Sequence, residues 1–170
     1  MHDGYLFTLG ICGSASESGP APACLNAMLA ALPPVKRAAY LGEILLSEGA
    51  PSLADPLTMP LLGEISDAEL LLIVTPLAGG ALPARVQTLA RAMAADPPPG
   101  RRFAVIVTIG DGADEALHLL REALARVGAT IVRELHAAAG VEAAEIIPEA
   151  VELARAAYAL AREQNPGALP

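Results

Sequence analysis

Aromatic residues are scarce in this sequence. They account for 3% of 170 residues and tryptophan is absent, so a core has to be assembled from alanine and leucine. Charge is sparse too: charged residues make up 18% against 54% hydrophobic, which excludes an intrinsically disordered chain. Basic residues are the minority, 11 Lys and Arg facing 19 Asp and Glu for a net charge of −8. A surface of that sign repels nucleic-acid phosphates and anionic lipid headgroups, so no nucleic-acid partner is expected. Two cysteines, Cys12 and Cys24, are too few for a disulfide framework. The start Met1-His2-Asp3-Gly4 has neither the basic beginning nor the apolar stretch of a secretory signal, and the expected location is cytoplasmic. Long uninterrupted apolar runs are missing as well. The most apolar region, 70–84, is broken by Thr75, Pro76, Gly79, Gly80 and Pro83, so no membrane span is expected.

What is present is alternation of short strands and helices. The apolar run 6–12, ended by Gly13 and Ser14, reads as a strand buried on both faces. After Pro22, the residues Leu25, Met28, Leu29 and Leu32 recur at helical spacing until Pro33 and Pro34 stop the helix. A weaker strand is expected over 37–46, then a long irregular connection over 47–62 with the Pro, Ser and Gly content of a flap. Residues 65–69 lead into the clearest buried strand, Leu70-Leu71-Leu72-Ile73-Val74, which stops at Thr75-Pro76. Pro83 opens a helix with Val86, Leu89, Ala90 and Met93 on one face, closed by Pro97-Pro98-Pro99-Gly100. A strand over 103–108 leads to Gly110-Asp111-Gly112, with Asp114 as the expected cap of a helix whose core stripe is Leu117, Leu120, Leu124 and Val127. Gly128 stands where a helix C-terminal glycine belongs. A strand over 130–135 and a helix over 148–164, with Val151, Ala154, Tyr158 and Ala161 on one face, complete a single domain over 1–164. The tail 165–170 is expected to fray.

Strands alternating with helices imply a parallel sheet with right-handed crossovers, and five of them suggest the doubly wound order 2-1-3-4-5. In that order a ligand crevice opens at the carboxyl ends of the first and third strands, against loops 13–22 and 76–82, with 110–113 as a third wall. The first loop, Gly10-Ile11-Cys12-Gly13-Ser14-Ala15-Ser16-Glu17-Ser18-Gly19, has the hydroxyls, free amides and following helix dipole that can hold a phosphate. The same residues also suit an ordinary turn and helix cap.

At these residues the chain resembles the flavodoxin-like NAD(P)H-dependent FMN reductases, over roughly 6–135. Residues 10–18 are similar to that family's phosphate loop, and 108–112 to its glycine-containing third loop. The most specific likeness is Ser66-Asp67-Ala68 before the strand, Thr75-Pro76 at its end, and Gly79-Gly80-Ala81-Leu82-Pro83-Ala84 before Gln87. The resemblance implies an α/β, flavodoxin-like three-layer sandwich, FMN as cofactor and NADPH or NADH as electron donor. Hydride would pass through the flavin to a quinone-like or other small-molecule substrate. It further implies that Ser14, Ser16 and Ser18 contact the FMN phosphate, that Pro76, Leu77, Ala78, Gly79 and Gly80 border the isoalloxazine ring, and that Gly110, Asp111 and Gly112 approach its pyrimidine edge. Such a protein supplies placement and electrostatics rather than a catalytic acid, nucleophile or metal.

The chain departs from that pattern in three places. Ala15 and Glu17 stand where the family usually has a basic residue, Pro20 and Pro22 remove two amide donors, and Leu77 replaces a common aromatic. A flavin-free binding or interaction module is the alternative reading, and the apolar composition together with 47–62 suggests a homo-oligomer, a dimer in the first instance. A cysteine phosphatase would need arginine six positions after Cys12, where Ser18 stands, and a phosphoacceptor domain would need aspartate at Thr75. Gly10, Gly13 and Gly19 do not form a dinucleotide fingerprint. His2, His118 and His136 are scattered without metal-ligand spacing and read as surface residues, while Arg85 and Arg91 could attract a nicotinamide nucleotide phosphate.

Overall fold

Residues 4–14, 16–41 and 58–170 are described by the structure, a computed structural model. The segments apolar on both faces form the middle of the sheet: β1 (Thr8–Cys12), β3 (Leu70–Pro76) and β4 (Arg102–Ile109) are buried almost throughout. That is what a strand covered by helices on both sides requires. The mixed segments β2 (Lys36–Tyr40) and β5 (Ala129–Ala137) are half-buried and take the edges. All pairings are parallel and the order is β2-β1-β3-β4-β5, as the alternation of elements predicts.

Helices cover both faces. On one side α1 (Pro20–Ala30) and α6 (Ala143–Glu163) enclose Leu25, Met28, Leu72, Val105 and Ala154. On the other, α2 (Thr58–Asp67), α3 (Ala84–Ala95) and α5 (His118–Arg126) enclose Ile65, Ile73, Met93, Ile106 and Leu124. The short α4 (Ala113–Ala116) precedes α5.

Several boundaries differ from expectation, each for a local reason. The connection expected to stay irregular through 62 is helical from Thr58. Leu61, Ile65 and Ala68 bury one face at helical spacing, and Pro60 sits close enough to the start for its missing N–H to cost nothing. The remainder of that connection, 47–57, lies outside the described residues, as do 42–46 of the second strand. Helix α1 begins at Pro20 rather than after Pro22, with both prolines in its first turn. Helix α6 starts at Ala143, not at Pro148, because Glu142 and Glu145 form a capping box. Pro148 is carried inside the helix on its exposed side. The tail expected to fray is tied back: Ala168 N–H donates to Asn165 O at 3.0 Å and Leu169 N–H to Gly4 O at 2.6 Å. Leu117, Leu120, Leu124 and Val127 are buried as read, although the helix is broken at Leu117 into α4 and α5.

Candidate functional site

Three loops leave the carboxyl ends of β1, β3 and β4 and are pressed together by glycines. Gly13 N–H donates to Val74 O at 2.9 Å, and a Cβ at Gly13 would stand 2.2 Å from Thr75 Oγ1, so only glycine lets the first loop lie on the end of β3. Leu77 N–H donates to Ile109 O at 2.8 Å, and a Cβ on Gly110 would meet Leu77 O at 2.7 Å. Between them Ala78 and Ala81 exchange backbone bonds of 3.0 and 3.1 Å around Gly79 (φ 58°) and Gly80 (φ 74°). Two consecutive left-handed residues make this a type I′ turn, a conformation that a Gly-Gly pair adopts without steric cost. Its tip touches the third loop, because a Cβ on Gly112 would lie 2.9 Å from Gly80 Cα. The segments containing the residues assigned to FMN thus share one edge of the sheet.

The serine loop is folded on itself. Ser16 N–H donates to Ser14 Oγ at 3.2 Å, Ser18 N–H donates to Ser16 Oγ at 3.1 Å, and the Ser16 and Ser18 hydroxyls are 2.9 Å apart. The backbone bonds use oxygen lone pairs, while the contact between the Ser16 and Ser18 hydroxyls spends one of their two hydrogens, so the Ser14 hydroxyl and one of that pair keep a hydrogen to donate outward. The loop is exposed from Ser16 to Pro20, and Gly19 caps α1 without a side-chain bond. Pro20 and Pro22 have no N–H and Ala23 N–H donates to Gly19 O at 3.2 Å, so Ala21 carries the one N–H of the first helical turn outside the helical bonding pattern. Beneath the loop, the Ser14 amide points at the Cys12 sulfur, while burial pushes the thiol of Cys12 up. An FMN phosphate fits this arrangement as an acceptor of serine hydroxyls at a helix N-terminus. The only charge on the loop is the exposed carboxylate of Glu17.

Leu77, expected to cover the flavin ring, is partly buried against the α2, α3 and α5 face of the core and sits on Gly110. Pro76 is half-buried, Ala78 and Gly79 are exposed, and Asp111 and Gly112 are exposed. Beside the third loop lies a cavity of about 550 Å³, lined by residues 110–115 and 136–138. Gly110, Asp111 and Gly112 face this space between the ends of β4 and β5. Ser14, Ser16, Ser18 and the 76–80 loop are not among its walls.

His136, read from sequence as a scattered surface histidine, is exposed as expected and also lines this cavity. Its Nδ1 is 2.8 Å from the hydroxyl of fully buried Thr108, and its Nε2 is 3.2 Å from Glu134 Oε2. Arg121 grips the Glu134 carboxylate with bonds of 2.7 and 2.6 Å and reaches Asp114 O at 3.1 Å and Asp114 Oδ1 at 3.4 Å. The hydrogen bonds and charge of Arg121 hold the Glu134 carboxyl below the usual range. Asp114 is consequently not a cap: Gly112 takes that position without a side-chain bond and Asp114 turns to Arg121. His136 carries no local motif. The available signal was its place at the end of the strand that follows the third loop in a 2-1-3-4-5 sheet. Of the arginines considered for a nucleotide phosphate, Arg85 is buried and Arg91 lies 3.3 Å from Gln87 Oε1. Among the described residues no helix is long and apolar enough to cross a membrane, and no group of three His, Cys, Asp or Glu could hold a metal ion.

No family model matches the sequence, and no curated protein matches it significantly. Solved structures do. A protein described as flavone reductase is 11% identical with a TM-score of 0.72. The match covers 97% of this chain but 66% of that one, so the chain spans just under two thirds of its length. The apo form of an NADH:FMN oxidoreductase is 16% identical over 89% of each chain, TM-score 0.56. A flavodoxin, WrbA-like protein from Agrobacterium tumefaciens is 14% identical, TM-score 0.67, covering 93% of this chain and 98% of that one. At such identities the likeness is one of architecture. The five parallel strands in the order 2-1-3-4-5, with helices on both faces, place this chain in the flavodoxin-like fold, whose other members in this comparison include proteins described as reductases and flavodoxins.

Proposed function

We propose that this protein is an FMN-binding, NAD(P)H-dependent oxidoreductase that reduces a quinone-like or other small molecule. The observation that carries the reading is the contact between the type I′ turn 78–81 and the glycine loop 110–112, beside a hydroxyl-rich loop ending at a helix N-terminus. Ligands of open α/β sheets occupy this edge. FMN, when bound, supplies the hydride chemistry. The chain's own part is placement. Ser14, Ser16 and Ser18 contact the phosphate, with the Ser14 hydroxyl and one of the Ser16–Ser18 pair donating to it, the N-terminal dipole of α1 favours its charge, and Pro76, Leu77, Ala78, Gly79 and Gly80 border the ring. Gly110, Asp111 and Gly112 bound its polar edge.

Titration of the purified protein with FMN tests the reading. The expected result is a saturable shift of the flavin absorbance with quenched fluorescence. If both stay unchanged at high FMN, the reductase reading falls and the chain is a flavin-free interaction module. That outcome would be in keeping with a phosphate loop whose Ser16 and Ser18 amides are already satisfied within the loop and which carries no Lys or Arg.

A further inference from the structure

We infer that the open edge of β2 is the surface through which two copies of this chain join, their β2 strands pairing antiparallel about a two-fold axis at Ala38. The inference does not rest on flavin binding, and it gives the expected homo-oligomer a place in the fold. In a strand the N–H and C=O of one residue point to the same side, and alternate residues serve opposite neighbours. Val35 O accepts from Thr8 N–H at 3.1 Å and Leu41 N–H donates to Cys12 O at 2.7 Å, so residues 35, 37, 39 and 41 serve β1. Lys36, Ala38 and Tyr40 therefore turn their backbone groups to the open edge, and among the described residues nothing bonds to them there. Natural edges are guarded by proline, by bulges or by charges standing over them. β2 has neither proline nor a register shift, and both its charges are drawn away. Lys36 Nζ donates to Leu29 O at 2.5 Å and Leu32 O at 2.8 Å, at the end of α1, and Arg37 pairs with Glu64 of α2.

A two-fold axis at Ala38 suits the residues of this edge. It sets Ala38 against Ala38 of the second copy, Lys36 against Tyr40 and Arg37 against Ala39, so no like charges face each other and alanine sits at the axis. The faces of the sheet are preserved, with α1 of both copies on one side and α2 of both on the other. On the α2 side a groove of about 260 Å³ runs along the edge, walled by residues 37–41 with Pro60, Leu61 and Glu64. Glu64 supplies the complementarity that selects a second copy. Its Oε1 takes Arg37, whereas among the described residues its buried Oε2 has no hydrogen-bond partner, a condition that native structures seldom leave unanswered. Arg37 of the second copy arrives beside Ala39, a wall of that same groove, and brings a guanidinium to the unpaired oxygen. Repeated by symmetry, two arginines and two glutamates then form one charge network at the axis. A partner of another sequence would need an arginine at that register, which a second copy always has.

Sedimentation velocity of the full chain over a dilution series reads the association, and three variants assign it to this edge. Ala38→Pro removes one outward N–H and leaves those bonded to β1, the placement that an edge strand tolerates. Association should weaken roughly tenfold or more with an unchanged circular dichroism spectrum. Arg37→Glu and Glu64→Arg each place like charges within a chain and across the axis, so each alone should be monomeric where the wild type is dimeric. Mixed, the two variants should form a mixed dimer, because an acidic chain then meets a basic one across the axis while each keeps its own internal clash. A defect confined to the folding of one chain would not be cured by mixing. A wild type that stays monomeric at about 0.5 mM, a dimer indifferent to Ala38→Pro, or charge variants that do not associate on mixing overturns the proposal.

Discussion

Gly80 and Gly112 meet backbone to backbone, so that a Cβ on Gly112 would stand 2.9 Å from Gly80 Cα. Gly112 also has φ 82°, where an L side chain costs about 1–2 kcal/mol. Gly112→Ala should therefore lower stability by at least that amount and separate the two loops, weakening FMN about tenfold or more. Gly140→Ala is the control. Its φ of 80° carries the same kind of strain, but its Cβ would meet nothing within 4 Å and it lies outside the loops assigned to FMN, so stability should fall without a comparable loss of FMN. Chemical denaturation and FMN titration of both variants separate strain from loop contact. Equal losses of FMN in the two would dismiss the contact.

Glu17 is exposed on a loop that carries no Lys or Arg. Glu17→Arg replaces repulsion of a phosphate by attraction in solvent, worth on the order of 1 kcal/mol, or about fivefold tighter FMN at low salt. The gain should shrink as sodium chloride is raised toward 0.5 M. An affinity unaffected by the substitution at low salt would remove the phosphate from this loop.

Much of the fold could be read from periodicity because the central strands need no alternation. Leu70 to Val74 is apolar at every position and could only be covered on both faces. The boundaries that went wrong are those where proline hides helical spacing. Pro60 stands inside α2 and Pro148 inside α6, one close enough to the start to be harmless and the other on the solvent side. The glycine loops were legible as loops, since Gly79-Gly80 admits a turn that few other pairs do. The groove beside β5 was not. His136, Glu134, Arg121 and Thr108 are spread over three elements, and only the pairing of β4 with β5 sets Thr108 opposite His136.

Both thiols are buried, and burial together with the neighbouring Cys12 pushes Cys24 up to about 11. Thiolate is the reactive form, so neither cysteine should react at neutral pH in the folded protein. An aromatic disulfide reagent at pH 7.5 should release almost no chromophore from native protein within minutes and two equivalents after denaturation, matching Cys12 and Cys24. Fast release of one equivalent from native protein would show that a thiol is reachable, and with it that the floor of the first loop opens.

Arg121 and Glu134 make the strongest charged contact of the β5 side, two bonds of 2.7 and 2.6 Å with both side chains mostly shielded. Because the folded carboxyl titrates below its unfolded value, the folded state releases its proton more readily. The pair's stabilisation is complete above the unfolded value of about 4.3 and is lost as pH falls through the depressed folded value. Glu134→Gln should therefore cost about 1 kcal/mol at neutral pH, discounted for partial exposure. Below about pH 4 the wild type should lose this advantage and converge on the variant. Arg121→Gln should give the same pH profile, since the loss belongs to the pair. Urea denaturation across that range measures both variants. A difference from wild type that persists undiminished at pH 2 would assign the effect to packing, and the link between Arg121 and the two walls of the groove would then be steric rather than ionic.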